Sequence, residues 1–221
     1  MTAHTVVGGL AAALGQLNAS QRIAARHELR NVCLLMPPMR DEVRGLEMLC
    51  ASVARSQVVP EARRRDETDR RNEVIQALLE QASYAVRNTR PKAPELHHGV
   101  LFLLSFIYED LDLTLRLLRE PKGRVARRKV YTAQRLLREV RSASVESQGL
   151  LARTADDFSG SDLRGVNLSE VDLSWVLWDE STMWPTGWAE RIRRSSVQQG
   201  PGLWLIRPLN ADVGSGHLMD V

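Results

Sequence analysis

Between Asp156 and Pro185 the chain reads in fives: DDFSG, SDLRG, VNLSE, VDLSW, VLWDE, STMWP. Phe158, Leu163, Leu168 and Leu173 stand at strict five-residue spacing, and Trp178 and Met183 continue the register. Asp157, Asp162, Asn167 and Asp172 precede the first four of these centres. The positions two before each centre (Asp156, Ser161, Val166, Val171, Val176, Ser181) are mostly small or β-branched. A helix repeats every 3.6 residues and a flat strand every two, so neither produces this pattern. A chain that turns a corner every five residues does, because the same side chain then points inward on each side.

The SDLRGVNLSEVDLSW core of this stretch resembles the pentapeptide-repeat family, and the resemblance covers about 30 of the 221 residues. It implies a right-handed, four-sided β-helix with Phe158, Leu163, Leu168, Leu173, Trp178 and Met183 as the ladder core. Such a coil has open ends, which must be covered. Trp184, Trp188 and Ile192 are expected to belong to that cover, in a helix over Thr186–Ser196, followed by a short edge strand, Leu203–Arg207. The segment 209–221 is expected to be a disordered tail.

The 150 or so residues before the ladder are helical in pattern. Val6–Leu17 is a short helix rich in small residues. Asn18 and Gln21 form a capping box for the next, with Ala25, Leu29, Val32, Cys33 and Met36 on one face. Pro37-Pro38 is expected to stop that helix, and a third runs from about Asp41 to Gln57. Pro60 opens a fourth. Its first half, Glu61–Glu73, carries five acids and five bases and is read as a solvated face held by ion pairs. Leu96–Arg119 is the most apolar element. Its run VLFLLSFIY ends at Glu109, too short for the roughly 20 residues of a membrane span, so it is read as the buried central helix. The last long helix covers Arg124 to about Arg153. The expected fold is therefore mainly α: a helical bundle or layer over 1–153, then a ladder with capping helix and edge strand over 154–208.

No catalytic constellation emerges, and the chain is read as non-enzymatic, with no cofactor and no metal. His97-His98 beside Glu95 lacks a ligand at i+3 or i+4 and is read as a solvated helix start. The acid pairs Glu109-Asp110, Asp156-Asp157 and Asp179-Glu180 are read as solvated or capping, with nothing to split their pKa values. Cys33 and Cys50 lie on apolar faces, and no export signal precedes them. They are read as reduced, small hydrophobic residues in a cytoplasmic protein rather than a redox pair.

The charge pattern is local, since the net charge is only +3. Arg119–Arg141 holds nine bases against two acids, and Asp156–Glu180 holds seven acids against one base. Arg124, Arg127, Arg128, Arg135 and Arg138 form a candidate basic interaction face. Pairing with the acidic ladder or with a protein partner is favoured over nucleic acid, because only Tyr131 interleaves with the bases.

The reading adopted is a cytoplasmic interaction or scaffold protein, compatible with a high-GC bacterial composition, whose partner is another protein. The alternative is a nucleic-acid-binding regulator working through 124–141. A topoisomerase-protecting DNA mimic, an activity of longer members of the family, ranks last. Six pentapeptides make about one and a half coils and rise about 7 Å at the spacing of strands, against about 34 Å for one turn of duplex.

Overall fold

The computed structural model describes residues 2–55, 61–88, 93–119 and 125–208. It is mainly helical: α1 (Ala3–Gly15), α2 (Ala19–Ala24), α3 (Arg26–Ala54), α4 (Glu61–Arg87), α5 (Pro94–Arg119) and α6 (Val125–Asp156) precede the five-residue register. After it come β1 (Leu177–Asp179), α7 (Ala189–Arg194), β2 (Ser196–Gly200) and β3 (Leu203–Ile206). The expected opener Pro60 and the tail 209–221 lie outside the described residues.

Helix starts follow their local chemistry. The Thr2 side chain accepts from the Thr5 amide at α1, and Asn18 and Gln21 make the expected reciprocal capping box at α2. The four long helices form a ring in which α3 packs on α4 and α6, and α5 packs on the same two, with α1 laid against α5 and α6. Leu10, Leu29, Met36, Leu46, Ile75, Leu103, Ile107 and Leu137 are fully buried in one continuous core. Gly99 is required for the α1–α5 approach, since a Cβ there would come within 2.7 Å of the Ala13 methyl. Unlike the expected buried central helix, α5 is a wall of this ring: it contacts α1, α4 and α6 and keeps one side in solvent, with Phe102, Tyr108 and Leu113 exposed.

A second expectation fails here. The helix does not stop at Pro37-Pro38; α3 runs unbroken through both prolines. The reason is tertiary. Leu29, Val32, Met36, Met39, Val43, Leu46 and Cys50 are buried at alternating three- and four-residue spacing across the prolines. Pro38 sits on the exposed side. Burial of that continuous row outweighs the loss of two amides and the local preference of proline.

From Asp157 to Val176 the chain repeats one local device. The side chains of Asp157, Asp162, Asn167 and Asp172 each accept the amide hydrogen two residues ahead, at 2.9–3.1 Å. In the same steps the carbonyls of Phe158, Leu163, Leu168 and Leu173 accept the amide three residues on. Each five-residue unit therefore ends in a turn, with its apolar centre turned inward: Phe158, Leu163, Leu168 and Leu173 are all buried. They join Ile23 of α2, Val176, Trp178, Trp184, Ile192 and Ile206 in a second hydrophobic cluster. The chain passes beside itself at two parallel bridges, Asp157 with Leu177 and Asp162 with Met183. The regular β-structure of the described residues is an antiparallel sheet in the order β1-β3-β2.

Met183 corrects the register. It is 40% exposed, and the next buried apolar side chain is Trp184. The period stretches by one at β1, where Asp179 follows the centre Trp178 instead of preceding it. The turn shifts with it: Ser181 N–H donates to the Asp179 carboxylate and Thr182 N–H to the Asp179 carbonyl. Pairing of β1 with β3 holds the extra residue extended. The tryptophans pack on one another: Trp178 meets Trp184 edge-on and stacks on Trp204, both with ring centroids 5.9 Å apart.

Candidate functional site

The helical body and the five-residue segment meet at a row of arginines. Arg22, Arg26 and Arg30 are spaced by four, so they project from one side of α2 and α3. Opposite them lies the end of α6, whose last carbonyls have no partner within the helix. Arg22 Nε donates to the Thr154 carbonyl at 3.1 Å and Arg26 Nε to that of Ala155 at 3.0 Å. The cations also suit the negative end of the α6 dipole.

Arg26 then crosses to the five-residue segment. Its Nη2 donates to Asp156 Oδ1 at 2.7 Å and to the Ser174 carbonyl at 2.6 Å, and Nη1 donates to the Asp172 carbonyl. Arg30 adds a bond to the Ser174 carbonyl at 3.1 Å, and the Arg22 guanidinium lies 4.6 Å above the Phe158 ring. Arg26 is only 3% exposed. Burial draws its pKa down, while Asp156 draws it up; an arginine stays charged through such a change. The carboxylate and the carbonyls are what make a buried guanidinium tolerable.

Beside this row runs a groove of about 700 Å³ between α3 and the five-residue segment. Leu34, 71% exposed, stands on the helical wall, and Trp175, 49% exposed, stands opposite. Trp175 has φ +68°, the left-handed region that suits glycine and is costly for a bulky side chain. Its amide is held by the Ile206 carbonyl at 2.8 Å, and Ile206 N–H returns to Val176. The end of β3 thus fixes a strained backbone that aims an indole at the groove. Glu170 and Asp172 on the same wall are exposed. Burial pushes Asp172 up, but the Ser174 hydroxyl and amide, with Arg26 and Arg30, hold its pKa below the ordinary value. The cations on this wall are committed to Asp156 and the Asp172 and Ser174 carbonyls, so the outward chemistry is an apolar pair bordered by carboxylates.

Of the basic face, Arg128, Arg135 and Arg138 are exposed along one side of α6; Arg124 and the Arg127 side chain lie outside the described residues. Among the described residues, acids of the five-residue segment and the neighbouring Arg141 have other partners. Asp156 pairs with Arg26, Asp162 with Arg164, and Arg141 reaches Glu47 of α3 at 3.0 Å.

His97 is buried, not solvated, and its Nδ1 lies 3.1 Å from the Val86 carbonyl. No cluster of three metal-ligating groups occurs among the described residues. Asp110 departs from the solvated reading, because burial raises its pKa and Glu139 and Glu109 add to the shift. Cys33 and Cys50 lie on one continuous helix, about 25 Å apart along its axis, too far for a disulfide. Burial pushes both thiols up to about 12, with Asp156 and Glu47 respectively adding to it.

The arginine row had a visible signal, a strict spacing of four beside Ala25 and Leu29. The positive φ of Trp175 had none. No protein-family model, curated protein or solved structure matches the chain.

Proposed function

We propose that this chain is a non-enzymatic interaction protein of the pentapeptide-repeat type, in which the helical body holds a short four-sided coil as a rigid half of a docking groove. The coil reading is supported by the inward row at period five, by the Asp/Asn turn in each step, and by parallel bridges whose partners are 20 and 21 residues apart. One circuit of four five-residue sides has that length.

The observation that carries the interaction reading is buried Arg26, which binds the end of α6 and two ladder carbonyls at once. It makes α3 and the ladder one surface, so Leu34 and Trp175 are presented at fixed separation. A volume near 700 Å³ falls within the range of specific pockets. The partner segment fits by an apolar side chain between Leu34 and Trp175 and a lysine or arginine at Glu170 and Asp172. Neutral thiols, Cys50 buried and Cys33 half-buried, suit a reducing cytoplasm, and no helix among the described residues is long and apolar enough to cross a membrane.

The test is capture of a protein by the purified chain, followed by mapping. Binding is expected to fall with Trp175→Ala and with Glu170→Lys, and to survive Arg135→Glu with Arg138→Glu. Equal capture by the Trp175→Ala form overturns the groove. The exposed row Arg128, Arg135 and Arg138 supports a second reading, a polyanion-binding regulator. Elution from heparin only at high salt, abolished by Arg135→Glu with Arg138→Glu, decides for it.

A further inference from the structure

A second groove, of about 850 Å³, lies between α4 and α5 and shares no lining residue with the first groove or the arginine row. Its floor is Leu79 and Leu104, both buried, with Leu101 partly covered. Its rim is unlike an ordinary solvated helix face. Tyr84 is 70% exposed and Tyr108 is 48% exposed. Between them the groove is lowered by two small side chains, Ser83 on α4 and Ser105 on α5. Its ends differ in charge: Arg87 closes one end, and Glu80 and Glu109 line the other.

We infer that this face is the contact between two copies of the chain, related by a two-fold axis that crosses α4 between Ser83 and Tyr84. Under such an axis residue i meets residue j of the second copy and j meets i, so a face can serve only if it complements itself. This one does so in size and in charge. Position 84 falls opposite position 83, which sets each Tyr84 ring over the other copy's Ser83 and Ser105 notch. Position 80 falls opposite position 87, so two Glu80–Arg87 pairs form from one patch. Glu80 and Arg87 are two helical turns apart on one side of α4, about 10 Å, which leaves space for both rings between the ion pairs. A parallel arrangement would set Glu80 on Glu80 and Arg87 on Arg87 and is repelled. Exposed tyrosines over an apolar floor are the composition of interface centres, where a rigid amphipathic ring covers area with little loss of freedom. The second copy takes its place through residues that the arginine row and its groove do not use, so either can fail without the other.

The full chain is sedimented over a range of concentrations. A monomer–dimer equilibrium is expected. Tyr84→Asp is expected to raise the dissociation constant about thirtyfold or more, as loss of a central anchor does. Glu80→Arg alone and Arg87→Glu alone each weaken the dimer, because both leave like charges facing. Glu80→Arg combined with Arg87→Glu restores it to within about threefold, since the pairs re-form with their signs exchanged. All three substitutions are on the surface, and unchanged far-ultraviolet circular dichroism checks the fold. A chain that is monomeric at roughly millimolar concentration overturns the inference. So does a dimer indifferent to Tyr84→Asp, or one that the combined exchange does not restore. A monomer whose Tyr84→Asp form loses a different protein assigns the face to that protein and equally overturns it.

Discussion

Arg26 and Asp156, 130 positions apart in the chain, meet at 2.7 Å where α3, the end of α6 and the five-residue segment converge. The guanidinium makes bonds in several directions from a buried position, and only its planar fork can serve them together. Arg26→Ala leaves the Asp156 carboxylate and three carbonyls without that donor, at a cost of about 3 kcal/mol or more. Arg26→Lys is expected to recover little of it. The helical body has its own core and keeps its ellipticity, so tryptophan fluorescence should change at lower denaturant than circular dichroism does. Coincident transitions in the Arg26→Ala protein would show that the arginine does not join the two parts.

Leu168 is 1% exposed at the middle of the inward row. Leu168→Asp removes about 1.5–3 kcal/mol of burial and adds a carboxylate that finds no partner there. The tryptophan environment is expected to be lost and the segment 157–207 to become open to proteases, with the helical signal retained. Protection of the segment in this variant would mean that the five-residue register is misassigned.

Trp175 separates stability from binding. Its left-handed backbone costs about 1–2 kcal/mol that glycine would not incur, and half of its side chain is in solvent. Trp175→Gly is therefore expected to leave the unfolding midpoint unchanged or to raise it, while protein capture by the groove is lost. A strongly destabilised Trp175→Gly form would make the indole a packing residue only.

The carboxylates of the turns set the acid response. The Arg164 guanidinium, and then its amide, lower Asp162 to about 2, and the Ser181 hydroxyl and Gly160 amide lower Asp179 below its ordinary value. A depressed native pKa means that the unfolded chain binds more protons as the medium is acidified. The contribution is complete above the unfolded value of about 3.9 and declines as pH falls from there toward about 2. The tryptophan-detected midpoint should drop across that window. Asp162→Asn keeps the turn, as Asn167 does, but should reduce the slope. An unaltered slope would show that the Asp162–Arg164 pair is too solvated to matter.

What could be seen in advance follows from range. The inward row and its Asp/Asn turns were legible from Phe158 to Leu173 because each step is closed by hydrogen bonds two and three residues away. The slip at Met183 was not, since it depends on Leu203–Leu205 pairing back onto Leu177–Asp179. For the same reason β2 was missed: SVQQG has no apolar alternation and is a strand only through its pairing with β3. The turn signal Gly200-Pro201-Gly202 between them was present. Arg26 showed its spacing but not its target, which lies across the fold. In α3 the decisive evidence was in the sequence throughout, as an apolar row at spacing three and four that two prolines do not interrupt.

Pro37 and Pro38 test that last point directly. In a helix interior each lacks the amide that would reach the carbonyl four residues back, and its ring presses on that same turn, at about 3 kcal/mol relative to alanine. Part of this is offset in the native protein by the smaller freedom of proline in the unfolded chain, about 0.4–1 kcal/mol. Pro38 is the better site because it is exposed and off the buried row. Pro38→Ala is expected to raise stability by about 1–2 kcal/mol, with a small gain in helical ellipticity. Pro37→Ala should act in the same direction, less strongly, since Pro37 is partly covered. Had the prolines divided two helices, the same substitutions would loosen a turn and lower the midpoint. A lower midpoint for Pro38→Ala would therefore refute the continuous α3, and with it the 25 Å axial separation that keeps Cys33 from Cys50.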